Sequence, residues 1–194
     1  MAVELVLGLG NPGPGYALTR HNAGFRVIDE LHRRHGLGPW IRRHGCDLAA
    51  ASLARKVILE KPQGFITRSG TAAAALAAGF GLDPGQLLVV VDDVELPLGT
   101  LRLRAAGGPG THNGLRDICE QLGTGFPRLR LGVRGSGPVG ELADYVLAAF
   151  PADEVEAFEA AVGRAADAVA CAVGDGLERT MNVFNRPVES AAVD

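Results

Sequence analysis

The chain has 194 residues, 47% hydrophobic and 21% charged, with a formal net charge of −3. That composition supports one well-buried core and excludes a disordered chain, and no run approaches the ~20 apolar residues of a membrane-spanning helix. The start, with Glu4 and a short apolar run into a Gly/Pro loop, lacks the basic region and longer apolar stretch of a signal peptide.

Residues 3–9 (VELVLGL) form a β-rich apolar run that stops at Gly and Pro, which predicts a buried strand. A loop follows at 10–21. Phe25, Ile28, Leu31 and His32 then recur at helical spacing over 23–35, with Gly36 as a natural stop. Strands are expected at 46–53 and 56–60, and an alanine-rich helix over 70–80 capped by Ser69. LLVVV at 87–91 reads as a central strand, and 100–104 as a strand alternating Leu and Arg. A helix over about 114–122, a strand at 128–133 and a short helix near 141–148 come next. The last predicted element is a long helix over about 152–173, with Asp153 and Glu154 in its first turn and Gly174 after its end. Strands interleaved with helices predict an α/β fold, a single-domain sandwich whose mixed, mostly parallel β-sheet carries helices on both faces. That domain covers residues 1–194, with a flexible tail from about 186.

Cys46, Cys119 and Cys171 lie far apart, without metal or redox spacing. Such an odd, scattered set reads as small core hydrophobes in a reducing cytoplasm. The net charge hides an asymmetry. Between 101 and 135 stand Arg102, Arg104, Arg116, Arg128, Arg130 and Arg134, opposed only by Asp117 and Glu120; from 141 onward the balance turns acidic. One phosphate-facing patch would look like this, and so would ordinary solvated surface.

Gly8, Gly10 and Gly13 satisfy G-x-G-x-x-G, the dinucleotide fingerprint. That motif needs a helix to begin inside the loop and hold a pyrophosphate at its N-terminus. Pro12 and Pro14 bracket Gly13, and a second turn at Gly15-Tyr16 delays the helix past His21, so no nicotinamide cofactor is expected. The loop continues through Tyr16, Thr19, Arg20, His21 and Asn22, a polar run held by core elements at both ends. His21 is its candidate general base, because an imidazole titrates near working pH. Alone it would read as a surface or capping histidine. Asp92 and Asp93, however, fall at the end of the LLVVV strand, where an open α/β sheet places ligand groups. A carboxylate there could fix the imidazole tautomer; the bland reading is that both acids only begin a turn toward Pro97. The flexible loop Gly107–Gly114 supplies His112 and Asn113, an amide suited to a carbonyl, an oxyanion or water. No Ser or Cys occupies a nucleophile turn and no set has metal spacing, so activated water is the simplest nucleophile.

These motifs, taken in order, resemble bacterial peptidyl-tRNA hydrolase, a single-domain α/β esterase that recycles tRNA. They are LVLGLGNPGPGY with TRHNAG, KPQGFITRSG at 61–70, VVDDVELPLG at 90–99, GGPGTHNGLRDI at 107–118 and RLRLGV at 128–133, and they span nearly the whole chain. The resemblance implies that His21 is the catalytic base, activating water against the ester carbonyl, and that Asp92 orients it. It implies that Asn11 and Asn113 hold the peptide part and position water or oxyanion, and that Tyr16 lies at the base of the cleft. Ile66, Thr67 and His112 fall at substrate-facing positions, and Arg102, Arg104 and Arg130 near the tRNA acceptor stem. No cofactor, no metal and no membrane are implied; the partner is peptidyl-tRNA, and the expectation is a cytoplasmic monomer without an obligate protein partner. The alternative is a catalytically weak, RNA-binding relative of the same fold.

The chain departs from the family pattern at three places. Thr67 stands where the family has an active-site asparagine, offering one hydroxyl on a shorter reach. Val91 replaces a histidine before the aspartate. The loop before Asn113 reads Pro109-Gly110-Thr111-His112 instead of His-Gly-Gly-His, a stiffer start.

Overall fold

The computed structural model describes residues 2–186. One seven-stranded sheet organises them. Its strands are β1 (Leu5–Gly8), β2 (Ile41–Arg43), β3 (Cys46–Ser52), β4 (Lys56–Pro62), β5 (Leu87–Pro97), β6 (Leu101–Arg104) and β7 (Arg128–Arg134). They lie in the order β2-β3-β4-β1-β5-β7-β6. The central strands β4, β1, β5 and β7 are mutually parallel, whereas β3 and β6 run against their neighbours, so the sheet is mixed and mostly parallel. The helices are α1 (Ala23–His35), α2 (Ser69–Phe80), α3 (Asn113–Leu122), α4 (Leu142–Leu147), α5 (Ala152–Gly174) and α6 (Leu177–Phe184).

Side-chain alternation along the buried strands divides the core into two layers. Val6, Leu59, Leu88, Val90 and Leu129 pack against Ile28 and Leu31 of α1 and against Phe158, Val162 and Val169 of α5. Leu5, Leu7, Val89 and Val91 face the other way, onto Leu76 of α2 and onto Leu115, Ile118 and Phe126. The departure at Val91 is therefore absorbed as packing beneath α2 and α3. Helices cover both faces, as expected.

The first glycines of the apparent fingerprint serve this packing. A Cβ on Gly24 would sit 2.4 Å from the backbone of both Leu9 and Val90, and one on Gly8 would sit 2.4 Å from the Gly24 carbonyl. Glycine at both positions lets the start of α1 press onto the ends of β1 and β5. The helix itself begins only at Ala23, after two short 3-10 turns at Pro14–Tyr16 and Arg20–Asn22.

Four expectations are corrected. Ser69 does not cap α2: its hydroxyl donates to the Ile66 carbonyl, and Asp117 of α3 accepts the Gly70 N–H at 2.5 Å instead. β5 does not stop before the acids but runs through Asp92 and Asp93 to Pro97. β7 pairs with it through Gly132 opposite Asp93 and, after a shift of register, again at Arg134 opposite Pro97; a Cβ on Gly132 would lie 2.0 Å from the Pro97 carbonyl. Two elements are additional, the exposed edge strand β2 and the amphipathic α6 beyond Gly176. The expected tail lies, Arg186 apart, outside the described residues.

The outer edge of β6 is covered by a side chain. Asn185 accepts the Leu103 N–H at 2.6 Å and donates to the Leu103 carbonyl at 3.0 Å, so its amide stands in for a further strand.

Glu60 of β4 is wholly buried in the core and receives the Cys46 thiol at 3.3 Å, while its second oxygen has no partner. Burial pushes its carboxyl up to about 8, the Cys46 thiol only partly opposing the shift. The folded protein then holds a proton that the unfolded chain releases near pH 4.5, so stability should fall as pH rises from about 5 to about 8, by a few kcal/mol in all. Urea unfolding across that range should show this decline, and Glu60→Gln should flatten it; an unchanged slope in the variant would assign the decline elsewhere.

Candidate active site

The site forms where β1 and β5 end against the start of α1. Because α1 is pressed onto these strands by Gly8 and Gly24, the 3-10 turn Arg20–Asn22 is held above the end of β5. His21 thereby meets Asp92, its Nδ1 lying 3.0 Å from both carboxylate oxygens. The same carboxylate takes a second imidazole: His112 Nε2 lies 3.1 Å from Asp92 Oδ1.

The second contact fixes a tautomer. His112 stands at the N-cap of α3 and its Nδ1 accepts the Leu115 N–H at 3.1 Å. That nitrogen therefore carries no proton, and Nε2–H donates to Asp92. Asp92 is 1% exposed and accepts from both rings. Burial alone would raise its carboxyl; the two imidazoles, His112 foremost, hold it well below the usual carboxylate range. For His21 the balance runs likewise: burial alone would lower its pKa, but the Asp92 charge and hydrogen bond outweigh it and the net shift is upward. With Nδ1–H donated to Asp92, His21 keeps the Nε2 lone pair, and Nε2 has no partner among the described residues.

A cleft of about 550 Å³ opens in front of this pair. Asn11 lies on its wall, 5% exposed, and is fixed on three sides. Its backbone N–H donates to Asn22 Oδ1 at 2.8 Å, its carbonyl accepts from Asn22 Nδ2 at 3.0 Å, and its Oδ1 accepts the Ile66 N–H at 2.9 Å. With the carbonyl end of the side chain so engaged, the Asn11 Nδ2 donors are left for the cleft. Tyr16, Ile66, Thr67, His112 and Asn113 also line it, so the loops of the predicted site do converge. Thr67 is exposed on the 3-10 turn Ile66–Arg68, and Asn113 Oδ1 accepts from Arg116 at 3.1 Å. Part of the lining is apolar: Leu142, Val146 and Leu147 of α4, and the exposed Phe65.

The arginines separate into three roles. Arg102 and Arg104 are exposed on β6 and lie outside the residues lining the cleft. Arg130 reaches the cleft but donates to Asp93 at 3.0 Å and to the carbonyls of Gly108 and Pro109. Arg128 is not a surface residue at all. It is 1% exposed, stacked on Phe126 with 4.1 Å to the ring centroid, and bound to the carbonyls of Phe126, Gly107, Gly108 and Thr124. These two arginines pin the glycine-rich loop expected to be flexible.

Sequence reasoning missed Asn22, which clamps Asn11, the α4 wall, and the His112–Asp92 contact. A polar residue directly after the candidate base was a usable signal for Asn22; nothing local in the sequence marks the other two.

His21, Asp92 and His112 have the composition of a metal site, with ligand atoms within 4.8 Å of one another. Each facing atom is already engaged, two N–H donors on one carboxylate, so an ion would have to displace both protons. Chemically, such an arrangement can serve as an oriented general base beside the Asn11 amide.

A family model for peptidyl-tRNA hydrolase matches residues 5–192. The chain belongs to the peptidyl-tRNA hydrolase family. A peptidyl-tRNA hydrolase of Chloroflexus aurantiacus is 46% identical over 93% of this chain and 98% of its own length. One from Symbiobacterium thermophilum is 43% identical over 94% and 98% respectively. Among solved structures, the Acinetobacter baumannii peptidyl-tRNA hydrolase superposes with a TM-score of 0.87 at 30% identity, covering 94% of each chain. A Campylobacter jejuni 5'-methylthioadenosine/S-adenosyl homocysteine nucleosidase, TM-score 0.52 at 11% identity, shares the fold alone. The match thus spans every residue lining the cleft, from Asn11 to Leu147.

Proton NMR of the His21 ring, assigned by its loss in His21→Ala, should give a pKa above the ordinary ~6.5. In Asp92→Asn the burial effect then acts alone and the midpoint should fall to or below 6.5. An unmoved midpoint would show that Asp92 is not what sustains the imidazolium.

Proposed function

We propose that this chain hydrolyses the ester between the peptide, or an N-blocked aminoacyl group, and the 3' end of tRNA, with His21 as the general base. The observation that carries this reading is the His21–Asp92 pair, whose free Nε2 faces a cleft lined by amide donors. Water held by Nε2 loses a proton to His21 as its oxygen attacks the ester carbonyl. The negative charge developing on that carbonyl oxygen is met by the N–H donors of Asn11 and Asn113. On collapse the 3' oxygen leaves with the proton returned by His21, giving free peptide acid and tRNA.

Water is the nucleophile because no hydroxyl or thiol is hydrogen-bonded to His21 among the described residues, the Thr67 and Thr111 hydroxyls on the cleft included. Cys46 is sealed in the core with its thiol pushed up by burial, Cys119 and Cys171 do not line the cleft, and the Ser69 hydroxyl is given to the Ile66 carbonyl. Asp92 cannot act as the nucleophile while it holds two imidazoles. Ile66 supports the site through its backbone N–H on Asn11 and packs its side chain in the core, and Tyr16 lines the cleft. The apolar wall of α4 with Phe65 suits a peptide of varied sequence better than a single fixed side chain.

Arg102 and Arg104 serve the acceptor stem, giving affinity through phosphates without reading sequence. Arg130, with most of its donors already used, contributes charge at the cleft mouth beside its hold on the loop. The same reading makes the protein a cytoplasmic monomer that recycles tRNA during translation, as one domain and without a bound cofactor or obligate protein partner. No helix among the described residues is long and apolar enough to cross a membrane, and the cysteines are unpaired, which supports that location.

In chelator-treated buffer, the purified protein should release tRNA from N-acetylaminoacyl-tRNA, and His21→Ala should lower turnover at least a thousandfold while tRNA affinity holds. Thr67→Asn measures what the departure costs, within the factor of about five to a hundred that one unmade buried hydrogen bond is worth. Binding without cleavage by well-folded wild type would mark the chain as an RNA-binding relative. Separately, Arg102→Ala and Arg104→Ala should raise KM and lower the salt slope of binding by about one each. An unchanged slope would return both arginines to ordinary surface.

A further inference from the structure

Arg20 stands directly before the base and is 5% exposed, which is unusual for a guanidinium. Its planar guanidinium lies over two aromatic rings, 4.3 Å from the Tyr145 centroid and 4.8 Å from that of Phe150. One nitrogen donates to Glu154 of α5 at 3.0 Å, and another to the Ala149 carbonyl at 2.9 Å. The backbone joins in, since the Arg20 N–H donates to the Ala148 carbonyl at 3.1 Å and Thr19 bridges to Ala149.

The receiving side is built with equal care. Phe150 stacks on Phe158 of the α5 core with 4.0 Å between centroids. The Tyr145 hydroxyl accepts the Gly135 N–H at 2.9 Å, just beyond β7. A Cβ on Gly135 would lie 1.7 Å from Glu154 Oε1, so the carboxylate occupies the space a side chain there would need. The end of β7, α4 and the start of α5 therefore converge on one guanidinium. None of these contacts touches the cleft, yet the elements they join both line it: the turn that carries His21 and the helix that supplies Leu142, Val146 and Leu147.

We infer that Arg20 is a positioning residue, a latch that sets the turn of His21 and the α4 wall as one unit. Its planar fork and its stacking are what the task requires, and lysine supplies neither. The inference rests on the esterase reading for its kinetic consequences, but the placement of His21 can be read without substrate. The groups facing Arg20 are Glu154 of α5 and Tyr145 of α4, with Asp153 on the same recess; those facing His21 are Asp92 of β5 and His112 before α3.

The test compares wild type with Arg20→Lys and Glu154→Gln by thermal melting, by the NMR titration midpoint of His21, and by kcat and KM on N-acetylaminoacyl-tRNA. Both variants should keep a cooperative melt, and their His21 midpoint should drop toward 6.5 as the turn loosens from Asp92. In Arg20→Lys kcat should fall tenfold or more with KM changed less than twofold, and in Glu154→Gln by a smaller factor. Variants that melt earlier but keep the wild-type His21 midpoint and kcat per folded molecule would overturn the inference, leaving Arg20 a purely structural residue. Should Arg20→Lys not fold, Glu154→Gln decides by the same readouts. If wild type shows no turnover, the esterase reading fails by itself, and the His21 midpoint still supports or overturns the latch.

Discussion

A single buried carboxylate governs this site. Asp92 lies out of water, so its charge is tolerable only because two imidazole N–H groups converge on it. Each donor arrives from a different part of the fold: His21 from the turn before α1, His112 from the cap of α3. The strand that carries Asp92 must therefore be flanked by both helices at fixed heights. Gly8 and Gly24 set one height by removing side chains between α1 and the sheet. The other is set where Leu115 N–H seizes His112 Nδ1, so the cap of α3 and the tautomer of the histidine are one contact. Removing either donor would leave the carboxylate partly unpaired in a dry site, at a cost of order 1–3 kcal/mol.

The order of strands and helices was legible because buried parallel strands and amphipathic helices carry strong periodicity, as LLVVV and the Phe25–Ile28–Leu31 spacing do. Elements with weak patterns escaped. Ile41–Arg43 is three residues, exposed throughout and polar in two of them, so only its pairing with β3 makes it a strand. α6 lies past Gly174, which reads as the end of the last helix; in the structure Gly176 adopts φ 89 and separates two helices. The strand end at Asp92 and Asp93 was misplaced because charge is a poor local signal for strand, and it is outweighed when β7 supplies the ladder.

In the site, residues belonging to one loop were legible and their long-range partners were not. His21 stood out in the polar run before α1 and Asp92 by its position after a central strand, whereas Asn11 was marked only by the family resemblance. The partner of Arg20, Glu154, is 134 positions away and sits in a helix where it reads as an ordinary first-turn acid. Arg128 shows the converse error. Among six arginines in one stretch it looked like surface, yet it is buried under carbonyls that only the folded glycine-rich loop brings together. Charge counted along a sequence does not separate a phosphate contact from an internal brace.

The same distinction orders the departures from the family pattern by consequence. Val91 points into the layer under α2 and α3, where an apolar β-branched side chain satisfies the packing without touching the cleft. Pro109 and Gly110 fall in a loop already held by Arg130 through the carbonyls of Gly108 and Pro109, so a stiffer start costs that loop little freedom. Thr67 is different: it is exposed on the cleft, beside the residue whose N–H orients Asn11. Of the three, it alone changes which donors a molecule in the cleft would meet, because the contacts of His21 and His112 with Asp92 are complete without it. A loss there would fall on how the cleft holds what enters it, and the contact of His21 with Asp92 would stand as before.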